Sequence, residues 1–154
     1  MEEKKVQENA LEKQAGSLRR RVDVMVVLLI LEFILGMVVN LFGEAPSESG
    51  KMQEPTWATL VFLSHGILGI LLLIWAIFLF VFVNKTENKK WRSLGMQGMI
   101  GIVVSAMGGV AFVGLREGSP ADISSLVMAL GFLYSFISYG RLLFTLRPSP
   151  SVVS

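Results

Sequence analysis

Four long runs of apolar residues, separated by short polar segments, form the main pattern of the chain. The runs cover about residues 22–42, 56–83, 93–114 and 122–146. Each run is long enough to cross a hydrocarbon core of about 30 Å as an α-helix, which rises about 1.5 Å per residue. The connecting segments are rich in turn-forming residues. The pattern therefore predicts an all-α, antiparallel four-helix bundle embedded in a membrane.

The chain outside residues 22–146 consists of two polar ends. Residues 1–21 carry many charges and few apolar positions, which predicts a charged cytosolic segment that is either helical or disordered. Residues 147–154 combine proline with serine, and we expect a disordered cytosolic tail there. The first apolar run follows a charged segment and ends without an Ala-x-Ala cleavage site. We therefore interpret it as a retained span and not as a signal peptide.

Composition supports the membrane interpretation. Apolar residues make up 53% of the chain and charged residues only 17%. A soluble domain of this composition would have too little polar surface to cover its apolar side chains. The excess apolar surface is therefore expected to face lipid or other protein.

Several kinds of chemistry are excluded or disfavoured by the residue counts. The chain has no cysteine and one histidine, which excludes disulfides and leaves few ligands for a zinc site. The net charge of +2 is too small to indicate nucleic-acid binding. No phosphate-binding loop, nucleophile elbow or zinc-binding helix motif is present. We therefore expect no catalytic residue, no metal, no cofactor and no enzymatic activity.

The basic residues predict the orientation of the spans. Of the 14 lysines and arginines, all except Lys51 and Arg116 precede the first run, lie between the second and third, or end the fourth. Basic residues near span ends favour the cytoplasmic side. The chain is therefore predicted to be a multi-pass protein of the cell membrane with both termini in the cytoplasm.

Four arginines are predicted to contact lipid headgroups. Arg19, Arg20 and Arg21 directly precede the first span, and Arg141 lies near the end of the last, where a long side chain reaches the headgroups. The alternative for residues 1–21 is a helix that binds a partner protein. The expected partners are the lipid bilayer and either other membrane proteins or a second copy of this chain.

Polar residues inside the spans are the candidate functional residues, because an acidic side chain at a helix centre costs about 2.5–3.5 kcal/mol on insertion. Glu32 lies ten residues from Phe42, and His65 lies nine residues from Thr56. At helical rise these depths are about 15 Å and 13 Å. By the same count, similar depths apply to three residues of the third and fourth spans: Ser105, Tyr134 and Ser135. The counts predict one buried polar layer to which all four helices contribute.

Three interpretations of this layer remain open. The first is a structural one, in which Glu32 and His65 fix the register of the helices. The second is a proton relay or a proton-coupled carrier, since intramembrane Glu and His residues serve in such sites. The third is a b-type haem electron carrier that uses His65 as an axial ligand. Of the three, we expect a structural or accessory component of a membrane assembly.

Small residues predict where helices approach closely. Gly101, Ser105 and Gly109 recur at four-residue spacing on the third span, which is typical of close helix packing. Gly36 and Asn40 continue the stripe that contains Glu32. Asn40, near the outer end of its span, is expected to be a cap or to form an interhelical hydrogen bond.

Three stretches of the chain resemble a family of small, uncharacterised four-span prokaryotic membrane proteins. They are LEFILGMVVNL at 31–41, HGILG at 65–69 and SSLVMALGF at 124–132. Members of this family have Glu or Gln before Leu-Gly-Met-x-x-Asn-Leu, His-x-x-x-Gly in span two and Ser-Ser-x-x-Met-Ala in span four. The resemblance implies importance for Glu32, Asn40 and His65. It implies no activity, and segment 43–55 lacks the histidine often found in the family's outer loop.

Overall fold

The structure, a computed structural model, describes residues 2–42, 57–115 and 119–146. Over these residues the chain is helical and contains no strand. The helices are α1 (Glu2–Phe42), α2 (Trp57–Asn84), α3 (Lys89–Leu115) and α4 (Ser119–Thr145). The predicted all-α, antiparallel four-helix bundle is confirmed. The tail at 147–154 and the segment at 43–56 lie outside the described residues.

Each helix contains a stretch that is long and apolar enough to cross a membrane. The four candidate spans are Glu12–Leu41, Thr59–Asn84, Lys89–Gly114 and Asp122–Thr145. The last three agree with the apolar runs of the sequence to within a few residues, whereas the first begins at Glu12, ten residues before the first run. The architecture is therefore compatible with a multi-pass membrane protein.

The first helix continues across the predicted boundary between residues 21 and 22. It runs without interruption from Glu2 to Phe42, and Leu18 is fully buried. Residues 2–21 are mostly strong helix formers, such as Glu, Lys, Gln, Leu and Ala, so nothing local ends the helix before the span. The charged segment is thus the first part of α1, and the bundle begins at least one turn before Val22.

The four helices are arranged in a ring. Each helix contacts its neighbours along the chain, and α4 closes the ring on α1. The backbones of the diagonal pairs, α1 with α3 and α2 with α4, do not approach each other closely over the residues that the structure describes. The α3–α4 contact is the most extensive of the four. The bundle is therefore built from two antiparallel hairpins, α1–α2 and α3–α4.

The α1–α2 hairpin packs along a seam with heptad spacing. Gly36 faces His65 and Gly69 faces Glu32, and these two contacts fix the register of the antiparallel helices. Residues then recur at alternating steps of four and three along both helices, as in a coiled coil. In this register, the buried facing pairs are Leu29 with Leu72, Met25 with Ala76, Val22 with Leu79, and Leu18 with Val83.

In the α3–α4 hairpin the two backbones touch. A Cβ at Gly108 would lie 2.7 Å from the backbone nitrogen of Met128, and one at Gly131 would lie 2.7 Å from that of Ser105. A Cβ at Gly101 would overlap the side chain of Ser135. Only glycine allows such an approach. We call the contact surface formed by Gly101, Ser105 and Gly108 of α3 and by Met128, Gly131 and Ser135 of α4 the glycine seam.

The prediction that Gly109 belongs to the small-residue stripe was wrong. Gly101 and Ser105 belong to the glycine seam, but the next position is Gly108, not Gly109. A Cβ at Gly109 would only reach the sulfur of Met128 at 3.4 Å, which is an ordinary contact. A strict four-residue repeat drifts around a helix of 3.6 residues per turn, whereas alternating steps of four and three stay on one face.

The buried apolar core lies toward the end of the bundle that carries Arg19 to Arg21, the α2–α3 turn and the last turn of α4. We call this the basic end. All four helices contribute to this core, through Leu18, Val22, Met25, Leu29, Leu72, Ala76, Leu79, Val83, Leu94, Ile102, Tyr139, Leu142 and Leu146. Along α1, Glu32 follows directly after the last of these apolar positions. The polar site therefore lies at the edge of the apolar core.

Candidate functional site

Glu32 and His65 face each other between α1 and α2. Oε1 of Glu32 lies 3.0 Å from Nδ1 of His65, and the two side chains are 11% and 21% exposed. An acid and a base that are buried together each reduce the cost of taking the other out of water. The sequence predicts the same depth for Glu32 and His65, and the structure brings these two side chains together.

Each of these two polar side chains lies over a glycine of the opposite helix. A Cβ at Gly69 would stand 3.1 Å from Oε1 of Glu32, and one at Gly36 would stand 3.1 Å from Cε1 of His65. Glu32 precedes Gly36 by four residues, and His65 precedes Gly69 by the same step. Because the helices are antiparallel, the two pairs fit together reciprocally. We call these four residues the Glu–His layer.

The hydrogen bonding of the Glu–His layer is incomplete. The Glu32–His65 contact is within ion-pair distance, but it does not have hydrogen-bond alignment. Nδ1 of His65 and Oε2 of Glu32 are both buried without a hydrogen-bond partner among the described residues. A buried, unsatisfied carboxyl oxygen is costly, and it is also an atom that can accept or release a proton.

The predicted layer of five residues is in fact divided between the two hairpins. Ser135 is fully buried, and its hydroxyl is shared between the carbonyl oxygens of Gly98 at 2.9 Å and Gly131 at 3.1 Å. Ser105 is half-buried, with its backbone nitrogen against Gly131. These two serines therefore belong to the glycine seam and not to the Glu–His layer.

Tyr134 does not belong to any buried layer, and its assignment must be corrected. Its side chain is 46% exposed, whereas that of the next residue, Ser135, is fully buried. Successive residues of an α-helix are separated by about 100° around its axis, and here Ser135 faces Gly98 of α3 while Tyr134 lies on the outer side of α4. Counting residues from a span end gives depth but not direction, and this is why Tyr134 was misplaced.

Asn40 is exposed near the end of α1, two turns beyond Glu32. The seam repeat that passes through Glu32 and Gly36 continues at Val39, so Asn40 lies to one side of the α1–α2 contact. Among the residues that the structure describes, Asn40 forms neither the cap nor the interhelical hydrogen bond that the sequence predicted.

Arg21 is held by α2. Its guanidinium carbon lies 4.1 Å from the ring centre of Phe82 and 4.9 Å from that of Phe78. The indole nitrogen of Trp75 donates a hydrogen bond of 3.3 Å to the carbonyl oxygen of Arg21. Cation–π contacts of this kind fix the direction of the side chain. The predicted contact with headgroups therefore applies to an arginine that is already positioned by aromatic rings.

The other three predicted headgroup residues are less constrained. Arg20 and Arg141 are exposed, and Arg19 is half-buried. The contact of these three side chains with lipid stays a prediction.

A buried tyrosine near the basic end was missed in the sequence. Tyr139 is fully buried inside the bundle, and its hydroxyl has no hydrogen-bond partner among the described residues. Its ring fits against Gly98, where a Cβ would lie only 2.5 Å from Cζ. Gly98 lies three residues before Gly101, in the same repeat of small residues on α3. From this spacing, a close contact at Gly98 could have been predicted. The ring replaces backbone contact at this end of the glycine seam.

No group of three or more His, Cys, Asp or Glu side chains within the described ranges is arranged to hold a metal ion. Comparison of the chain with family models, curated proteins and solved structures finds no match. The resemblance to four-span prokaryotic proteins therefore stays a prediction.

Proposed function

We propose that this chain is a non-enzymatic, polytopic membrane protein with both termini in the cytoplasm, and that it is a structural or accessory component of a membrane assembly. The observation that carries this proposal is the reciprocal fit of the Glu–His layer. Glu32 lies over Gly69, and His65 lies over Gly36, at contact distance. A layer filled in this way favours a role in packing.

The layer gives the α1–α2 hairpin a single register. If α2 moved along α1 by one seam position in the direction that brings Leu72 opposite Glu32, the carboxyl would face Leu72 instead of Gly69 and would lose His65. A buried polar group without its partner costs about 1–3 kcal/mol. A seam of apolar residues alone would resist such slippage less, as known from polar residues at core positions of coiled coils.

The outer faces of the helices are available for lipid or for other membrane proteins. Large apolar side chains are exposed on all four helices, for example Phe33 at 55%, Ile70 at 61%, Val110 at 75% and Leu126 at 58%. An accessory protein of this kind would associate with its partners through such faces. Affinity purification in mild detergent with mass spectrometry is the direct search for them.

One observation favours a second candidate, a proton relay or a proton-coupled carrier. Oε2 of Glu32 is buried without a hydrogen-bond partner among the described residues, beside an imidazole. Such an oxygen is available to a proton that passes between Glu32 and His65. The two candidates differ in what they require of Glu32, because packing needs its shape and proton transfer needs its carboxyl.

The Glu32→Gln variant therefore separates the two candidates. An amide keeps the shape of the side chain, so a structural role predicts unchanged stability and no change in proton flux in vesicles with an internal pH dye. Asp23→Asn is the matched control, because it makes the same acid-to-amide change on α1 outside the layer. A proton flux in the wild type and in Asp23→Asn that disappears in Glu32→Gln would contradict the structural proposal.

The further alternative, a haem ligated by His65, fits the geometry poorly. The Cε1 edge of the imidazole, between its two nitrogens, is directed at Gly36, and Nδ1 is beside Glu32. A macrocycle bound through Nε2 would have to displace α1 from this contact. An absorption spectrum of the purified protein tests this alternative, and a Soret band that is lost in His65→Phe would support it.

A further inference from the structure

A groove opens at the basic end, between the last residue of α2 and the first two turns of α3. It is lined by Asn84, Lys89, Arg92, Ser93 and Met96 and has a volume of about 230 Å³. Arg92, Ser93 and Met96 lie three, four and seven positions after Lys89, so the four residues share one face of α3. We call this the basic groove.

The scaffold of the basic groove is well fixed. The side-chain oxygen of Asn88 accepts hydrogen bonds from the backbone nitrogens of Lys90 at 3.0 Å and Trp91 at 3.2 Å, which caps α3. Thr86 is 3% exposed, and its hydroxyl donates a 2.7 Å hydrogen bond to the carbonyl of Val83. The turn that carries Lys89 therefore has little freedom to rearrange.

The groove has an unbalanced positive charge. Neither Lys89 nor Arg92 forms an ion pair with a carboxylate among the described residues, and both are exposed. Glu87, the acidic residue of this turn, does not line the groove. The first turn of α3 adds the positive end of its helix dipole. An anion is the ligand that this set of groups would attract.

Ser93 adds a hydrogen-bond donor. Its hydroxyl oxygen accepts a 3.1 Å hydrogen bond from the side-chain nitrogen of Gln97. Because the oxygen is the acceptor in that bond, the hydroxyl proton is available to an anionic oxygen in the groove.

The same face of α3 becomes apolar toward the middle of the bundle. Met96 is 48% exposed, and Ile100 and Val103 follow on this face with 47% and 37% exposure. The order along the helix is therefore two cations, a hydroxyl, and then an apolar strip. A phospholipid that stands in a bilayer presents the complementary order of phosphate and acyl chain.

We propose that the basic groove binds the phosphate of an anionic phospholipid in the leaflet at the basic end. Lys89 and Arg92 contact phosphate oxygens, Ser93 donates its hydroxyl proton, and an acyl chain lies along Met96, Ile100 and Val103. Basic pockets beside membrane spans recognise anionic headgroups in this way. The proposal requires the chain to be embedded in a bilayer, but it is independent of the role of the Glu–His layer.

Native mass spectrometry of the detergent-purified protein, titrated with phosphatidylglycerol, tests the groove. The variant Lys89→Gln/Arg92→Gln removes both cations. Lys85→Gln/Lys90→Gln is the matched control, because it removes the same charge from exposed positions around the same turn outside the groove. We expect the first bound lipid to dissociate about thirtyfold more readily from the groove variant, at about 1 kcal/mol per basic residue. The control is expected to change less than about threefold, and equal losses in both variants would overturn the proposal.

Two further arms identify the ligand and protect the test against misfolding. Phosphatidylcholine should bind more weakly than phosphatidylglycerol, and inorganic phosphate should not displace the lipid; displacement would show that the groove takes free phosphate instead. Ser93→Ala removes one hydroxyl from an exposed position and should weaken lipid binding with an unchanged melting temperature. Unchanged lipid affinity in Ser93→Ala would show that the hydroxyl does not take part in binding. If Lys89→Gln/Arg92→Gln also bound lipid as the wild type does, the groove would not be a lipid site.

Discussion

Gly69 of α2 faces the carboxyl of Glu32 in α1 so closely that a Cβ at position 69 would stand 3.1 Å from Oε1. His65 and Gly36 repeat this relationship in the opposite direction, also at 3.1 Å. The space that each glycine leaves is thus filled by the polar side chain of the other helix. The packing of α1 on α2 and the placement of the Glu–His pair are consequently one property of the bundle.

The first prediction concerns these glycines. Gly69→Ala should be less stable than Gly66→Ala by about 1 kcal/mol, because its added methyl would stand 3.1 Å from Oε1 of Glu32 and the carboxyl must shift to admit it. Gly66→Ala is the matched control on the same helix, since nothing lies within 4 Å of a Cβ there. The control should be neutral or stabilising by up to about 1 kcal/mol, from helix propensity. Thermal unfolding in detergent compares the two variants, and a Gly69→Ala protein as stable as the control would contradict the tight fit.

The second prediction concerns the coupling of Glu32 with His65. Glu32→Leu and His65→Phe should each cost about 1–3 kcal/mol, because each leaves the other polar group buried without a partner. The double variant should recover part of the combined loss. The measurement is a double-mutant cycle of unfolding in the same detergent. Strictly additive effects would mean that the 3.0 Å contact contributes nothing.

The third prediction concerns orientation, for which the chain offers a clean background because it has no native cysteine. Single cysteines at Ser49 and Ser119 should react with an impermeant maleimide in intact cells. Cysteines at Gln14 and Asn88 should react only after the membrane is opened. The expectation follows from the basic residues near Gln14 and Asn88. Labelling at Asn88 without labelling at Ser49 would reverse the proposed orientation and would also move the basic groove to the outer leaflet.

The helices of this protein could be predicted well because their signal is local. Apolar runs of membrane-spanning length and short polar connections define α2, α3 and α4 to within a few residues. The start of α1 could not be predicted from hydropathy, because its first part is helical but polar. Leu18 is buried at the position that faces Val83 of α2 in the seam register, and that pairing is visible only when the two seams are aligned.

The candidate site could be predicted in depth but not in direction. Counting residues from the span ends brought Glu32 and His65 to one level, and their contact follows because both lie on the heptad seam. The same counting misplaced Tyr134, which lies at the right depth but on the outer side of α4. The position of Arg21 over Phe78 and Phe82 requires the register of α1 against α2, which a single-sequence count does not supply.

The last prediction compares the two tyrosines of α4. Tyr139 is fully buried, and its hydroxyl has no hydrogen-bond partner among the described residues, so the fold bears the cost of removing that hydroxyl from water. Tyr139→Phe keeps the ring that fits against Gly98 and removes only this cost, so it should raise the free energy of unfolding by about 1 kcal/mol. Tyr134→Phe is the matched control, because Tyr134 is 46% exposed and its hydroxyl is not confined by the bundle.

The control should change stability by less than about 0.5 kcal/mol, as is usual for surface substitutions. Thermal unfolding of both variants in one detergent, beside the wild type, provides the comparison. If Tyr139→Phe instead destabilised the protein, the hydroxyl would have a bonding partner, and a buried water against Gly98 and Tyr139 would be the first candidate, because such waters satisfy isolated polar groups inside proteins. The sign of this one change therefore tells whether the basic end of the glycine seam is dry.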